Sequence, residues 1–338
     1  MAVSSKDFSA DPKFTSFSAT DVTYKTVGNT ALEATILVPK TIIDKPGKYP
    51  LAIRWHGGFW VTGHRLFPDW YPTWLLDFCF KHDAITVTPD YRLIPEANGK
   101  DILEDMRGFY TWLLEPGNLS KHLPSGVEAN LSSLLVTGES AGGWLAWQSA
   151  IYIPRSIGAT ILHYPVLDLR APHFTVAGPK ELFPGAPAEL PTHILKDHIT
   201  KLTGDEVVAN DAKLSRFPLV LSIAQQGRFD ELFGTDRSLH PLEQVEDGAV
   251  TSEFPSIWIL HGKDDTAVPI EGTRKMVEAL QQRGLGPDKL HLSVEAGGHG
   301  FDIHAPDTNE AATLETGWVK EGVSFLMRSA INTARGQA

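Results

Sequence analysis

The sequence predicts an α/β protein with a mostly parallel central sheet of about eight strands, helices on both faces and one inserted segment. Three observations predict it. Short apolar, β-branched runs recur along the 338 residues and alternate with segments of helical periodicity. The run Leu134–Thr137 passes directly into Gly138-Glu139-Ser140-Ala141-Gly142 and then into a helix-compatible segment, which is strand-turn-helix punctuation. The alternation stops near residue 170 and resumes near 250, as expected where a segment is laid over a sheet domain.

Residues 1–18 are polar and are expected to be loosely ordered. Residues 19–27 and 31–39, joined by a Gly-Asn turn, read as a β-hairpin. Residues 40–49 form a loop containing Pro and Lys. Residues 51–55 are a short apolar strand that ends at His56-Gly57-Gly58-Phe59-Trp60. Phe67, Trp70, Tyr71, Trp74 and Phe78 recur every three to four residues, which predicts a helix that mixes core with pocket mouth. Residues 84–89 are the next strand. Residues 101–114 are a helix with Ile102, Met106, Phe109 and Leu113 on one face. After 134–137 and its helix, residues 159–165 are a further strand.

Residues 170–250 are rich in Pro, Gly, His and acidic side chains and show short helical pieces without a clear strand. They read as a cap between two parts of one core, 1–169 and 251–338. The sheet resumes with a strand at 256–262, a helix at 270–283 stopped by Gly284, a last strand at 290–295 and a closing helix at 311–329.

Composition narrows the function. Hydrophobic residues make up 42% and charged residues 21%, which are globular values. A net charge of −11 without a basic patch argues against a nucleic-acid partner. The single cysteine, Cys79, allows no intrachain disulfide and fits a reducing compartment. No signal-peptide pattern and no span-length apolar run is visible, so a cytoplasmic location without a membrane span is expected. No HExxH or cysteine-based spacing suggests a metal, His193 and His198 lack a companion carboxylate pattern, and no dinucleotide-type glycine motif is present. No cofactor is therefore expected. Monomer and homodimer both remain open.

In a parallel sheet, reacting groups gather beyond the carboxyl ends of the strands. Four such ends carry chemistry. After 51–55, the glycines of the 56–60 turn expose backbone N–H groups that can converge on one oxygen. After 134–137, Ser140 sits between Gly138 and Gly142, with the N–H of Ala141 facing outward at a helix start. After 256–262 come Asp264 and Asp265, either of which could orient a histidine ring. After 290–295, His299 lies in a glycine-rich loop, with His304 as a substitute.

Together these pieces resemble the α/β-hydrolases, and within them the hormone-sensitive-lipase-type carboxylesterases. The matching motifs are HGG at 56–58, DYRLIPE at 90–96, GESAGG at 138–143, YPVLD at 164–168, HGKDDTAVP at 261–269 and GGHGF at 297–301, all in family order. The resemblance implies the α/β-hydrolase fold, with Ser140 as nucleophile, His299 as base and Asp265 as orienting acid. It implies an oxyanion hole from the Gly57, Gly58, Phe59 and Ala141 backbone. It also implies hydrolysis of a small apolar ester or acyl substrate.

The sequence departs from the family in three places. Phe59 replaces a third glycine, Glu139 replaces the usual Asp, and Trp144 stands where Asn is common. Phe59, Trp60 and Trp144 are the candidate substrate-binding side chains, with plain packing of helix against sheet as the other reading of Trp144 and of Trp147. The HGGFW turn is also similar to that of arylformamidases, which leaves amide or N-formyl, thioester and lactone-forming substrates as alternatives. A non-catalytic receptor, as the gibberellin receptors are, is the remaining class.

Overall fold

The computed structural model describes residues 8–303 and 311–336. Among the described residues there are ten strands: β1 (Phe17–Val27), β2 (Thr30–Pro39), β3 (Gly47–Tyr49), β4 (Leu51–Trp55), β5 (Ile85–Pro89), β6 (Val127–Ala129), β7 (Leu134–Glu139), β8 (Ile157–His163), β9 (Ser256–Gly262) and β10 (Leu290–Glu295). Eight form one sheet in the order β1-β2-β5-β4-β7-β8-β9-β10, and β3 pairs with β6 in a small second sheet. The β1–β2 hairpin and the β2–β5 pair are antiparallel, and every later pair in the large sheet is parallel. The chain is an α/β-hydrolase fold, with the mostly parallel sheet of eight strands that the sequence predicts.

Side chains alternate across the sheet and fill two cores. Leu51, Ile53, Ile257 and Ile259 point to one, and Ala52, Trp258 and Leu260 point to the other. The first core takes in α2 (Gly99–Leu114), α3 (Ala141–Tyr152) and α9 (Ile270–Gln282). The second takes in α1 (Thr73–Lys81) and α10 (Gly317–Gly336). Burial on both faces explains why the central strands read as continuous apolar runs. In α2, Asn98 caps the helix and accepts from Lys100 N and Asp101 N, so the helix begins two residues before the predicted start.

Several boundaries differ from expectation. The aromatic run is not one helix. Pro68 and Pro72 break it into a 3₁₀ turn, Pro68–Trp70, followed by α1. Strand β8 ends at His163 because Tyr164 turns the chain with φ of 36°. The closing helix starts at Gly317, six residues after the predicted start. The β3–β6 pair was not anticipated, since three-residue strands carry too little pattern to read.

Residues 172–246 contribute five short helices: α4 (Pro172–Thr175), α5 (His193–Thr200), α6 (Phe217–Gln225), α7 (Phe229–Phe233) and α8 (Pro241–Glu246). Leu182, Leu195, Leu219, Phe229 and Phe233 from this stretch are buried in the first core. Among the described residues, no helix is long and apolar enough to cross a membrane.

Candidate active site

The turn after β7 is sterically determined. Ser140 adopts φ 57° and ψ −116°, a region that costs about 1–3 kcal/mol for a residue with a side chain. A Cβ at Gly138 would lie 2.0 Å from the Gly142 carbonyl oxygen, and one at Gly142 would lie 2.0 Å from that of Trp55. Neither position admits a side chain. Ser140 N–H donates to His163 O at 2.8 Å, and Ser140 O accepts from Val166 N at 3.1 Å, which anchors the turn to the β8 end. The serine is buried, and its Oγ has no hydrogen-bond partner among the described residues.

The ends of β9 and β10 bring Asp265 and His299 together. His299 Nδ1 and Asp265 Oδ2 are 2.8 Å apart. The other carboxylate oxygen, Oδ1, accepts from Ala267 N at 2.9 Å and Val268 N at 2.8 Å. Burial alone would raise the Asp265 pKa. The neighbouring His299 and His261 rings and their hydrogen bonds outweigh it, and the carboxyl is held well below the ordinary carboxylate range. His261 backs this pair. Its Nε2 lies 3.3 Å from Asp265 Oδ2 and 2.9 Å from Val268 O, and its Nδ1 lies 2.8 Å from Thr273 Oγ1. A carbonyl only accepts, so the His261 proton sits on Nε2.

Of the two aspartates, Asp265 carries the bond to His299. Asp264 instead accepts from Gly297 N at 3.2 Å and ties the two loops together. His304 lies outside the described residues. His198 pairs with Glu96 at 2.9 Å, and among the described residues no group of His, Cys, Asp or Glu is placed to hold a metal ion.

The 56–60 turn faces Ser140. A Cβ on Gly57 would lie 3.0 Å from the Glu139 carbonyl oxygen and 3.3 Å from the Ser140 Cβ, so the backbone of this turn passes close beside the serine. Gly58, Phe59 and Trp60 follow with φ of 108°, 55° and 59°. No backbone acceptor among the described residues takes the N–H groups of Gly57, Gly58, Phe59 or Ala141. His56 does not face the site. Its Nδ1 bonds Gly57 O at 2.8 Å and its ring stacks on Tyr91 at 4.5 Å. Burial lowers its pKa to about 4.

Ser140, His299, Gly57, Gly58 and Phe59 line one cavity of about 580 Å³. The candidate substrate-binding residues separate here. Phe59 lines the cavity, stacked 5.2 Å from Phe229 and 6.3 Å from His299. Trp60 and Trp144 do not line it, which corrects the expectation. They meet edge to face at 5.8 Å, both pack on Phe233, and the Trp144 indole N–H donates to Leu239 O at 2.7 Å. Both indoles pack the helices of residues 229–239 onto the core.

Several lining residues escaped the sequence reading. Tyr164 packs edge-on against His299 at 4.6 Å, and Phe183 does so at 5.8 Å from the opposite segment of chain. Leu214, Phe217 and Val220 complete an apolar wall. Tyr164 opens the YPVLD motif and was visible there. Phe183 and Phe217 carried no signal, because an aromatic in an irregular segment has no periodicity to interpret. Glu139 borders the cavity but faces the second core, where Arg54 Nε donates to it at 2.9 Å; burial nevertheless raises its pKa.

The family described as alpha/beta hydrolase fold matches residues 52–197. A probable carboxylesterase of a Phoma species is 30% identical over 336 residues, covering 95% of this chain and 98% of that protein. A probable carboxylesterase of Cochliobolus lunatus is 30% identical over 207 residues, covering 58% of this chain and 92% of its own. Among solved structures, esterase B of Lactobacillus rhamnosis, inhibited by a tributyrin phosphonate, superimposes with a TM-score of 0.60. It shares 16% identity over 96% of this chain and 88% of its own, a likeness of fold alone.

Proposed function

The chain belongs to the α/β-hydrolase carboxylesterases and is a carboxylic ester hydrolase, and from that premise we propose that Ser140, His299 and Asp265 carry out ester cleavage through an acyl-enzyme. The observation that carries this reading is the 2.8 Å bond between His299 Nδ1 and Asp265 Oδ2, in a cavity that His299 shares with Ser140.

Ser140 Oγ attacks the ester carbonyl while His299 takes its proton through Nε2, the nitrogen that Asp265 does not engage. The tetrahedral oxyanion is held by backbone N–H groups from Gly57, Gly58, Phe59 and Ala141, where each donor is worth roughly 10²–10³ in turnover. His299 then protonates the leaving alkoxide. Water activated by the same ring attacks the acyl-enzyme and releases the acid. Asp265 remains ionised throughout and stabilises the imidazolium that forms in each half. No cofactor enters any step.

The apolar and aromatic wall supports small to medium apolar esters as substrates, since burial of apolar surface favours them by about 25 cal/mol per Å². Residues 170–250 act as the cap that closes this cavity, with Phe183, Leu214, Phe217 and Val220 as its contribution. The test is Ser140→Ala, assayed with a chain-length series of activated esters and a fluorophosphonate probe. Turnover and labelling should both disappear. Turnover that survives the substitution would defeat the proposal.

A further inference from the structure

The turn at 57–63 holds three successive residues at positive φ, two of which, Phe59 and Trp60, bear side chains. Such a conformation persists only where its surroundings over-determine it. The turn supplies two bonds of its own, from Val61 N and Thr62 N to Gly58 O. The neighbouring His56 Nδ1 bonds Gly57 O at 2.8 Å, and further bonds come from distant chain. Trp60 O accepts from Ile94 N at 2.7 Å, and Gly63 O accepts from Asp211 N at 2.7 Å. Val61 O accepts from Arg216 Nε at 2.6 Å, and Thr62 Oγ1 donates to Asp211 Oδ2 at 2.7 Å.

The two residues that make three of these contacts are themselves locked. Asp211 accepts from Ser215 N at 3.1 Å, Ser215 Oγ at 2.8 Å and Arg216 N at 2.7 Å. The Arg216 guanidinium also reaches Ile94 O at 2.8 Å and Glu96 Oε1 at 2.9 Å, so one fork binds both the turn and the segment that steadies Trp60. Neither residue lines the cavity, but Leu214, Phe217 and Val220, on the same stretch of chain, do.

We propose that Asp211 and Arg216 are positioning residues that hold the 57–63 turn in the geometry its N–H donors need, so that residues 211–216 set the oxyanion site while the adjoining residues wall the pocket. The inference rests on the serine-hydrolase reading of Ser140. Arginine is required because its planar fork reaches Val61 O, Ile94 O and Glu96 at once, which a single ammonium cannot do. The donors act on the tetrahedral state, so loosening the turn lowers kcat and spares KM.

The test compares wild type with Arg216→Lys, Asp211→Ala and Asp211→Asn. Each is assayed for kcat and KM on an activated ester, and for affinity toward a trifluoromethyl ketone analogue of the tetrahedral state. We expect Arg216→Lys and Asp211→Ala to lose about 10- to 100-fold in kcat, within the range for weakened oxyanion donors. Ketone affinity should fall in parallel and KM should stay within about twofold. Asp211→Asn retains an acceptor oxygen and should recover part of the loss.

Should the stronger variants fail to fold, Thr62→Val against Thr62→Ser carries the comparison, since only Ser keeps the hydroxyl that reaches Asp211. Variants that fold, label with fluorophosphonate and keep both kcat and ketone affinity at wild-type values would overturn the proposal. Wild type that is not labelled at Ser140 would instead overturn the serine-hydrolase reading, and the positioning role with it.

Discussion

Replacing Asp265 by Asn should remove most turnover while leaving the fold intact, and the hydrogen-bond pattern shows why. Asp265 Oδ1 accepts two backbone N–H bonds, from Ala267 and Val268. An amide placed here must keep its oxygen at that position, because its NH₂ would otherwise meet two donors. The NH₂ is then forced toward His299 Nδ1. A ring nitrogen facing a donor must accept, so His299 would carry its proton on Nε2, the atom that has to receive the Ser140 proton. The enzyme would sit in the wrong tautomer. In triads generally this fault costs about 10⁴ in kcat, equivalent to about 5 kcal/mol of transition-state stabilisation. Asp265 does not line the cavity, so KM should change little. Steady-state kinetics on an activated ester, with circular dichroism as a folding control, make the measurement. A variant within tenfold of wild-type kcat would refute the tautomer argument.

Two further outcomes follow from the same geometry. Because the Asp265 carboxyl is held below its ordinary range, folding favours its ionised form. That contribution to stability is complete above the unfolded value near 3.8 and is lost only as pH falls toward the lower folded value. The urea stability gap between wild type and Asp265→Asn should therefore narrow as pH falls below about 4; a gap that stays undiminished down to about pH 2 would contradict it. Trp144→Phe should lower stability by about 1–3 kcal/mol, the cost of leaving the buried Leu239 carbonyl unpaired. The variant should keep its KM across an ester series, and a selective shift in KM would return Trp144 to the substrate site.

Much of the fold was legible because strand and helix periods are local. The runs at 51–55, 256–262 and 290–295 match β4, β9 and β10 to the residue. Legibility failed where prolines cut an apparent helix at Pro68 and Pro72, and where a strand bent early at Tyr164. For the site, the strand-end glycines marked Ser140 and the 56–60 turn, because close backbone approach excludes a side chain and leaves only glycine. The residues alone leave Asp264 and Asp265 open, and only the family resemblance favours Asp265. In the structure the bond runs from His299 to Asp265, while Asp264 ties its loop to Gly297.

The sequence by itself determined the order of the elements, the two-faced burial of the sheet and the identity of the residues at four strand ends. Periodicity, glycine sterics and motif order all act within short stretches of chain. Only the tertiary structure decided which aromatics face the cavity. Trp60 and Trp144 are as bulky and as near in sequence to the reacting groups as Phe59, yet Phe233 covers both and Leu239 accepts from one of them. Phe183 and Phe217 come from a segment with no readable pattern and form the wall instead. Which face of a turn a side chain takes depends on the partner that distant chain presents, and no local spacing encodes that partner.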